Sequence, residues 1–221
     1  STNVNGVDVV IDEQTCYPFE EQIRFAISLP DRKHRTAAFP FELRIPEWCD
    51  KYTLTVNGQE VKAESVRKGT IRLNRTWSDG DELLLTLNAP VRSSRWYDNA
   101  AVVERGPLVY ALRMEEKWQK LICEGEDIKQ LGEYYYEVTS TTPWNVALRN
   151  ADLKEEKIAT SFVVEKSACS DKPWSLESAP IKLKAKAHVL PEWELNRNSA
   201  GDFCYYTQQA PKGEVGEVVD I

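Results

Sequence analysis

The stretch that decides the fold is Thr76–Leu112, which reads TWSDGDELLLTLNAPVRSSRWYDNAAVVERGPLVYAL. Asp79-Gly80 is a turn signal, and the residues after it alternate between apolar and polar side chains, as in a half-buried strand. Pro90 ends that strand, and Gly106-Pro107 turns the chain between two further strands. The stretch contains no nucleophile–base pair and no metal-ligand cluster. It is typical of the core of a β-domain.

The same alternation recurs along the chain at the spacing of about 8–12 residues that is usual for a β-sandwich or barrel. Helical periodicity is weak, and only Glu124–Leu131 and Ala151–Ile158 could each hold a short helix. The composition becomes more charged after Leu112, which predicts a domain boundary. We therefore predict an all-β chain of two consecutive, jelly-roll-like β-sandwich domains, residues 1–113 and 114–221.

The clearest alternation in the second half lies in Ile181–Val189. Apolar residues there alternate with Lys182, Lys184, Lys186 and His188. Lysines on one face of a strand commonly protect an unpaired sheet edge. We predict an edge strand at this position.

Composition narrows the class of protein. The chain has 221 residues, a net charge of −7 and a sequence pI near 5.1. An acidic surface repels phosphate backbones, so we expect no nucleic-acid partner. No apolar run approaches the roughly 20 residues that span a bilayer, so we expect no membrane span. The chain begins at Ser1 rather than Met, and we expect a processed protein or a piece of a larger one.

Candidate chemistry is sparse. His34 and His188 lack a neighbouring nucleophile, and Asp79 and Asp81 fit a hairpin turn better than a calcium loop. We predict no catalytic residue, no metal and no cofactor in this chain. The cysteines lack zinc-site spacing and are either buried thiols or, in an oxidising compartment, partners in a disulfide. They are Cys16, Cys49, Cys123, Cys169 and Cys204.

The most informative polar loop concentrates arginine and aromatic residues. Arg92, Arg95, Trp96 and Tyr97 have no alternation that would bury them in a sandwich. Such residues anchor interfaces, and exposed aromatic rings stack on sugar rings. We predict that this loop contacts a carbohydrate or another part of the protein; the alternative is that Trp96 folds back over its own core. Gly106 is predicted to be a structural turn residue.

Several sequence blocks together resemble one family. The most specific are R-I-P-x-W and R-G-P-L-V-Y. The blocks are Thr15–Pro18 (TCYP), Phe41–Trp48 (FELRIPEW), Val56–Gly58 (VNG), Trp77–Asp81 (WSDGD), Glu104–Leu112 (ERGPLVYAL) and Pro143–Leu148 (PWNVAL). In this order they resemble the C-terminal part of glycoside hydrolase family 127, the β-L-arabinofuranosidase-like proteins. The match runs from about residue 7 to about residue 190.

The resemblance implies a parent protein in which an (α/α)6 barrel precedes two β-sandwich domains. The family's catalytic cysteine, acid glutamate and zinc ligands lie in the barrel, so no catalytic position is transferred to this chain. The resemblance implies a structural role: packing against the barrel, shaping its rim or mediating a homodimer. A carbohydrate-binding module that uses Trp96 and Tyr97 is the second reading. A cell-surface adhesion sandwich fits the fold but explains none of the sequence blocks.

Overall fold

The computed structural model describes residues 1–31, 33–96, 100–191 and 216–221. Strands make up 52% of the described residues and helices 6%, which confirms the predicted all-β class. The strands of the first half are β1 (Thr2–Val4), β2 (Val7–Thr15), β3 (Gln22–Ser28), β4 (Thr36–Arg44), β5 (Tyr52–Val56), β6 (Gln59–Glu60), β7 (Glu64–Arg67), β8 (Thr70–Ser78), β9 (Glu82–Leu87), β10 (Val91–Arg95), β11 (Ala101–Arg105) and β12 (Leu108–Tyr110).

The second half holds shorter sheets and two short helices. Its strands are β13 (Glu116–Ile122), β14 (Tyr134–Ser140), β15 (Val146–Ala147), β16 (Phe162–Lys166), β17 (Ile181–Val189) and β18 (Val218–Asp220), and the helices are α1 (Asp127–Leu131) and α2 (Glu155–Ser161). Within the described ranges, no helix has the length and apolar character needed to cross a bilayer.

The chain forms two compact units. The first contains residues 1–91, 104–108 and 166–182, and the second contains residues 92–103, 109–165 and 183–221. Each unit therefore draws on separate stretches of sequence. The division into consecutive domains 1–113 and 114–221 stays a prediction about which segments fold together.

Two antiparallel sheets enclose the core of the first unit. One has six strands in the order β1-β2-β3-β9-β5-β6, and the other has three in the order β4-β8-β7. The burial pattern of β9 alternates strictly between half-buried and buried residues, as the period-2 sequence predicted. Inward-facing side chains of both sheets form one apolar cluster, which is the arrangement of a β-sandwich.

Trp77, on β8, lies at the centre of this core. Its side chain is 0% exposed. Its ring lies 5.7 Å from that of Phe41 and 5.8 Å from that of Phe39, and its Nε1–H donates to the carbonyl oxygen of Phe39 at 3.1 Å. The ring is packed and its one polar atom is satisfied, as a buried tryptophan requires.

The acidic turn after β8 is held by its own carboxylates. Asp81 is 7% exposed and accepts hydrogen bonds from Asn57 Nδ2 and from the Ser78 amide, both at 2.8 Å. Asp79 Oδ1 accepts from the Leu29 amide at 2.8 Å. Asp81 joins the Asn57-Gly58 hairpin to the Asp79-Gly80 turn, and Asp79 ties that turn to the residue after β3, which is the turn role predicted for them.

The prediction of an edge strand at β17 is wrong. This strand lies inside its sheet, whose order is β15-β17-β16, and β18 also pairs with it. Lys186 lies opposite Asp220 on β18 and makes an ion pair with it at 2.6 Å, while Lys184 pairs with Glu165 on β16 at 2.8 Å. These lysines therefore face acidic side chains on β16 and β18. The alternation of the sequence alone does not reveal those partners.

The two predicted helical segments hold the two helices, with one shift. α1 lies inside Glu124–Leu131, but α2 begins at Glu155 rather than Ala151. Residues 149–153 instead form a turn in which Arg149 makes two hydrogen bonds to the Asp152 carboxylate, at 2.6 and 3.0 Å. This pair lowers the pKa of Asp152 below its ordinary value. The local ion pair favours a turn over another helical turn there.

Candidate functional site

The prediction of a loop is wrong for Arg92 and Arg95, which lie on β10 in the second unit, whereas Trp96 follows that strand and is open to solvent. The Trp96 side chain is 66% exposed, its amide donates to the carbonyl of Ala100 at 3.0 Å, and its Nε1–H donates to Ser94 Oγ at 2.9 Å. One ring face is thus available while the indole N–H is held locally. Tyr97 lies outside the described residues.

Two hydrogen bonds anchor the start of this loop to the segment that precedes α2. Arg95 is exposed and its Nη2 donates to Asn150 Oδ1 at 2.7 Å, and Ser93 Oγ donates to the carbonyl of Leu153 at 2.8 Å. Arg92 is half-buried on β10. The arginines therefore lie on a strand tied to its own unit, and Trp96 lies just beyond that anchored segment.

Gly106 lies in the tight turn between β11 and β12, with a φ of +58°. A β-carbon there would lie 3.4 Å from Ala89 Cβ and 3.6 Å from the Trp48 ring, which are ordinary contact distances. The demand for glycine at this position therefore comes from the left-handed backbone more than from lack of space.

We expect Gly106→Ala to lower the free energy of unfolding by about 1 kcal/mol or more, because alanine is strained at positive φ. Gly106→Asn is the matched control: asparagine tolerates left-handed φ, so it should cost less than alanine. Urea denaturation followed by circular dichroism measures both. An unchanged midpoint in Gly106→Ala, or a larger loss in Gly106→Asn, would count against a conformational origin.

A polar groove of about 560 Å³ in the first unit was not predicted from the sequence. Its lining consists of Glu20, Glu21, Gln22, Lys51, Tyr52, Thr53, Thr86, Leu87, Asn88 and Lys166. Most of these side chains carry hydrogen-bond donors or acceptors, so the groove suits a polar ligand better than an apolar one.

Glu21 organises the charges of this groove. Its carboxylate accepts a short hydrogen bond from Arg105 Nη2, and it accepts from Lys166 Nζ at 2.7 and 2.9 Å. The Arg105 side chain is 7% exposed and that of Glu21 is 21% exposed, whereas Lys166 is about half exposed. The Glu21 carboxylate thus pairs with two cations, the buried Arg105 and the half-exposed Lys166.

The pKa of Lys166 lies below its ordinary value. Partial burial is the main cause because it disfavours the charged form, and the positive charge of Arg105 adds to it, while the Glu20 carboxylate opposes both. Glu21 is engaged by two cations, which leaves it poorly suited to donate a proton. The arrangement can hold polar or charged groups of a ligand.

Sequence reasoning missed this triad because its members are far apart. Arg105 lies 84 positions from Glu21, and Lys166 lies 145 positions from it. Glu, Arg and Lys are common surface residues, and the R-G-P-L-V-Y block that contains Arg105 gives no sign of its ionic partners. Only the burial of Arg105, which follows an apolar run on β11, sets it apart in the folded chain.

A second exposed feature is the aromatic face of the hairpin β13–β14. Trp118, Tyr134 and Tyr136 contact one another edge to face, with centroid separations of 5.8 Å for Trp118–Tyr136 and for Tyr134–Tyr136. All three are exposed, and Lys120 Nζ lies 3.7 Å above the Tyr134 ring. The rings stand at steep angles to one another, so they form a ridged surface rather than a flat one.

The remaining titratable residues do not gather into a metal site. In the part of the chain that the structure describes, no group of three or more His, Cys, Asp or Glu side chains could hold a metal ion. His34 lies beside Asp31 at 3.3 Å in an exposed loop.

Comparison with known proteins agrees with the sandwich and with the sequence blocks. Residues 1–89 match the family model described as the middle domain of β-L-arabinofuranosidase, GH127. No curated protein sequence matches the chain.

Two solved structures share the fold of the chain. A GH127 β-L-arabinofuranosidase from Geobacillus stearothermophilus T6 aligns with 100% of this chain at a TM-score of 0.56 and 19% identity, and 28% of that enzyme is covered. A structure described as a glycoside hydrolase aligns with 99% of the chain at a TM-score of 0.53 and 24% identity, and 31% of it is covered. The chain therefore spans about a third of the length of these proteins or less. The resemblance predicted from the sequence is confirmed: residues 1–89 match the model of the middle domain of glycoside hydrolase family 127, and the whole chain shares the fold of the two solved structures.

Proposed function

We propose that this chain is the non-catalytic β-sandwich region of a glycoside hydrolase and that it supports an (α/α)6 catalytic barrel of the same parent protein. The observation that carries the proposal is the pair of alignments over 100% and 99% of this chain, which cover 28% of a GH127 enzyme and 31% of a protein described as a glycoside hydrolase. The family match to a middle domain agrees with a region that follows another domain.

The short helices and the exposed surfaces of the described residues support the same role. Its two helices have 5 and 7 residues, far shorter than the helices from which a barrel of paired helices is built. In the groove, the Glu21 carboxylate is held in ion pairs with Arg105 and Lys166. Exposed aromatic residues are typical of binding surfaces, which favours a role in contact with another domain or molecule. Packing against the barrel and mediating a homodimer are the two structural roles that we propose for these surfaces.

The coding sequence around this chain tests the proposal. We expect an upstream region in the same reading frame with repeated amphipathic helices, encoding a barrel with the family's cysteine and glutamate. The barrel expressed separately should co-purify with this chain, because the surfaces that they bury are built for each other. A reading frame that joins this chain to a different class of domain, with no barrel, would contradict the proposed role.

A carbohydrate-binding module is the second candidate, and the exposure of Trp96 is the observation that favours it. Isothermal titration with arabinose-containing oligosaccharides measures this binding. If Trp96 is the platform, Trp96→Ala should weaken binding about tenfold, equivalent to about 1.4 kcal/mol. Trp118→Ala, which removes an exposed ring in another part of the chain, is the matched control. Equal losses in both variants would rule out a platform at Trp96.

A further inference from the structure

The segment that follows β16 runs against the loop between β2 and β3 in the first unit. Two contacts fix this arrangement. Lys166 pairs with Glu21 at 2.7 Å, and the Trp174 ring lies 4.7 Å from that of Phe19 in an edge-to-face contact. The Ser167 amide also donates to the carbonyl of Pro180 at 2.7 Å, which closes the segment on itself.

Two cysteines meet between these contacts. The Cys16 and Cys169 side chains are close enough to interact, and both are half-buried. The other described thiols, Cys49 and Cys123, are buried, and the Cys49 thiol donates to the carbonyl of Lys51 at 3.1 Å. Among the described cysteines, Cys16 and Cys169 thus combine a neighbouring thiol with access to solvent.

We propose that Cys16 and Cys169 are an oxidative cross-linking site that joins the loop after β2 to the segment after β16 through a disulfide. The Lys166–Glu21 and Phe19–Trp174 contacts on either side already hold the two segments together, which favours a bond between these two thiols over a bond to a distant one. The inference does not depend on the proposed function, because it rests on the first unit alone.

The reaction is thiol–disulfide exchange with a small-molecule disulfide as oxidant. The thiol of one cysteine, Cys16 for example, loses its proton to water, and the resulting thiolate attacks one sulfur of the oxidant, which releases one thiolate and leaves a mixed disulfide. The Cys169 thiolate then attacks the Cys16 sulfur of that mixed disulfide and releases the second half of the oxidant as a thiolate. Two protein thiols are oxidised and one oxidant disulfide is reduced to two thiols.

The environment makes this exchange depend on pH. The Cys169 thiol, partial burial and the negative charge of Glu20 all raise the pKa of Cys16 above its ordinary value. A raised pKa leaves less thiolate at neutral pH, so the cross-link should form faster as the pH rises toward the pKa.

Oxidation of the full chain with oxidised glutathione tests the proposal. We expect the thiols titrated in the unfolded protein to fall from five to three and peptide mapping without reductant to join the Cys16 peptide to the Cys169 peptide. We also expect the melting temperature of the oxidised protein to rise by about 5 °C or more, because the bond closes a very long loop. Cys16→Ser and Cys169→Ser should each abolish the cross-link.

The other cysteines supply the controls. Cys49→Ser, Cys123→Ser and Cys204→Ser should leave the Cys16–Cys169 cross-link unchanged. The proposal would be overturned if mapping joined other cysteines or found glutathione retained on Cys16 without a second step. Five free thiols at a glutathione ratio that oxidises an engineered dithiol reference peptide would overturn it as well. Peptide mapping of the oxidised chain without substitutions shows which cysteines are joined, even if a serine variant fails to fold.

Discussion

Replacing Trp77 by alanine lowers the free energy of unfolding by about 3–5 kcal/mol, the largest loss that we expect from a single substitution in this chain. The side chain is 0% exposed and packs against Phe39 and Phe41 on the neighbouring strand. Alanine would remove the ring and leave a cavity between the two sheets that the strands cannot close without losing register. Urea denaturation followed by far-UV circular dichroism measures the loss without using tryptophan as the probe.

Two controls separate the cavity from the lost hydrogen bond. Trp77→Phe keeps most of the apolar volume but removes the donor to the Phe39 carbonyl, so we expect a loss of about 1–3 kcal/mol. Trp118→Ala removes a ring that is 61% exposed and should change stability by about 0.5 kcal/mol or less. A Trp77→Ala loss as small as that of Trp118→Ala would contradict the central position of Trp77 in the sandwich core.

Replacing Glu21 by glutamine lowers the free energy of unfolding by about 2–3 kcal/mol. Glutamine keeps the size of the side chain but removes the negative charge that Glu21 places against the buried Arg105 guanidinium. Breaking a fully buried ion pair on one side costs about 3–5 kcal/mol, and the partial exposure of Glu21 places the expected value below that range. The same denaturation measurement reports it.

Lys166 is the matched control for this prediction, because it pairs with the same carboxylate from a half-exposed position. Water and salt screen that pair, so Lys166→Met should cost about 1 kcal/mol or less. In a double-mutant cycle, Glu21 should couple more strongly to Arg105 than to Lys166. Equal coupling energies would show that the burial of Arg105 does not strengthen its ion pair relative to that of Lys166.

The fold was largely predictable because its signals are local. Alternation in β9 places Leu83, Leu85 and Leu87 on one face, and all three lie in the core. Asn57-Gly58 and Asp79-Gly80 predict turns, and both take positive φ at their glycines. In each case the decisive residues lie within a few positions of one another, so the sequence pattern already contains the geometry.

The position of β17 and the groove were not predictable in the same way. The lysines of β17 alternate whether the strand lies at an edge or between neighbours, and only Glu165 and Asp220 on other strands distinguish the two cases. The triad around Glu21 depends on chain segments that meet only after folding. The Arg92–Tyr97 loop was identified by composition, and its binding role stays a prediction.

The proposed non-catalytic role is tested most directly by measuring turnover of an aryl β-L-arabinofuranoside by this chain alone. If this chain is non-catalytic, we expect only background hydrolysis, with and without added zinc. We expect clear hydrolysis by the proposed parent protein with its barrel, assayed at equal molar concentration. A chelator-treated sample and the Glu21→Gln variant serve as controls for a metal-dependent or groove-dependent reaction. Turnover by the isolated chain that disappears when a residue within it is replaced would contradict the assignment of this chain as a non-catalytic sandwich region.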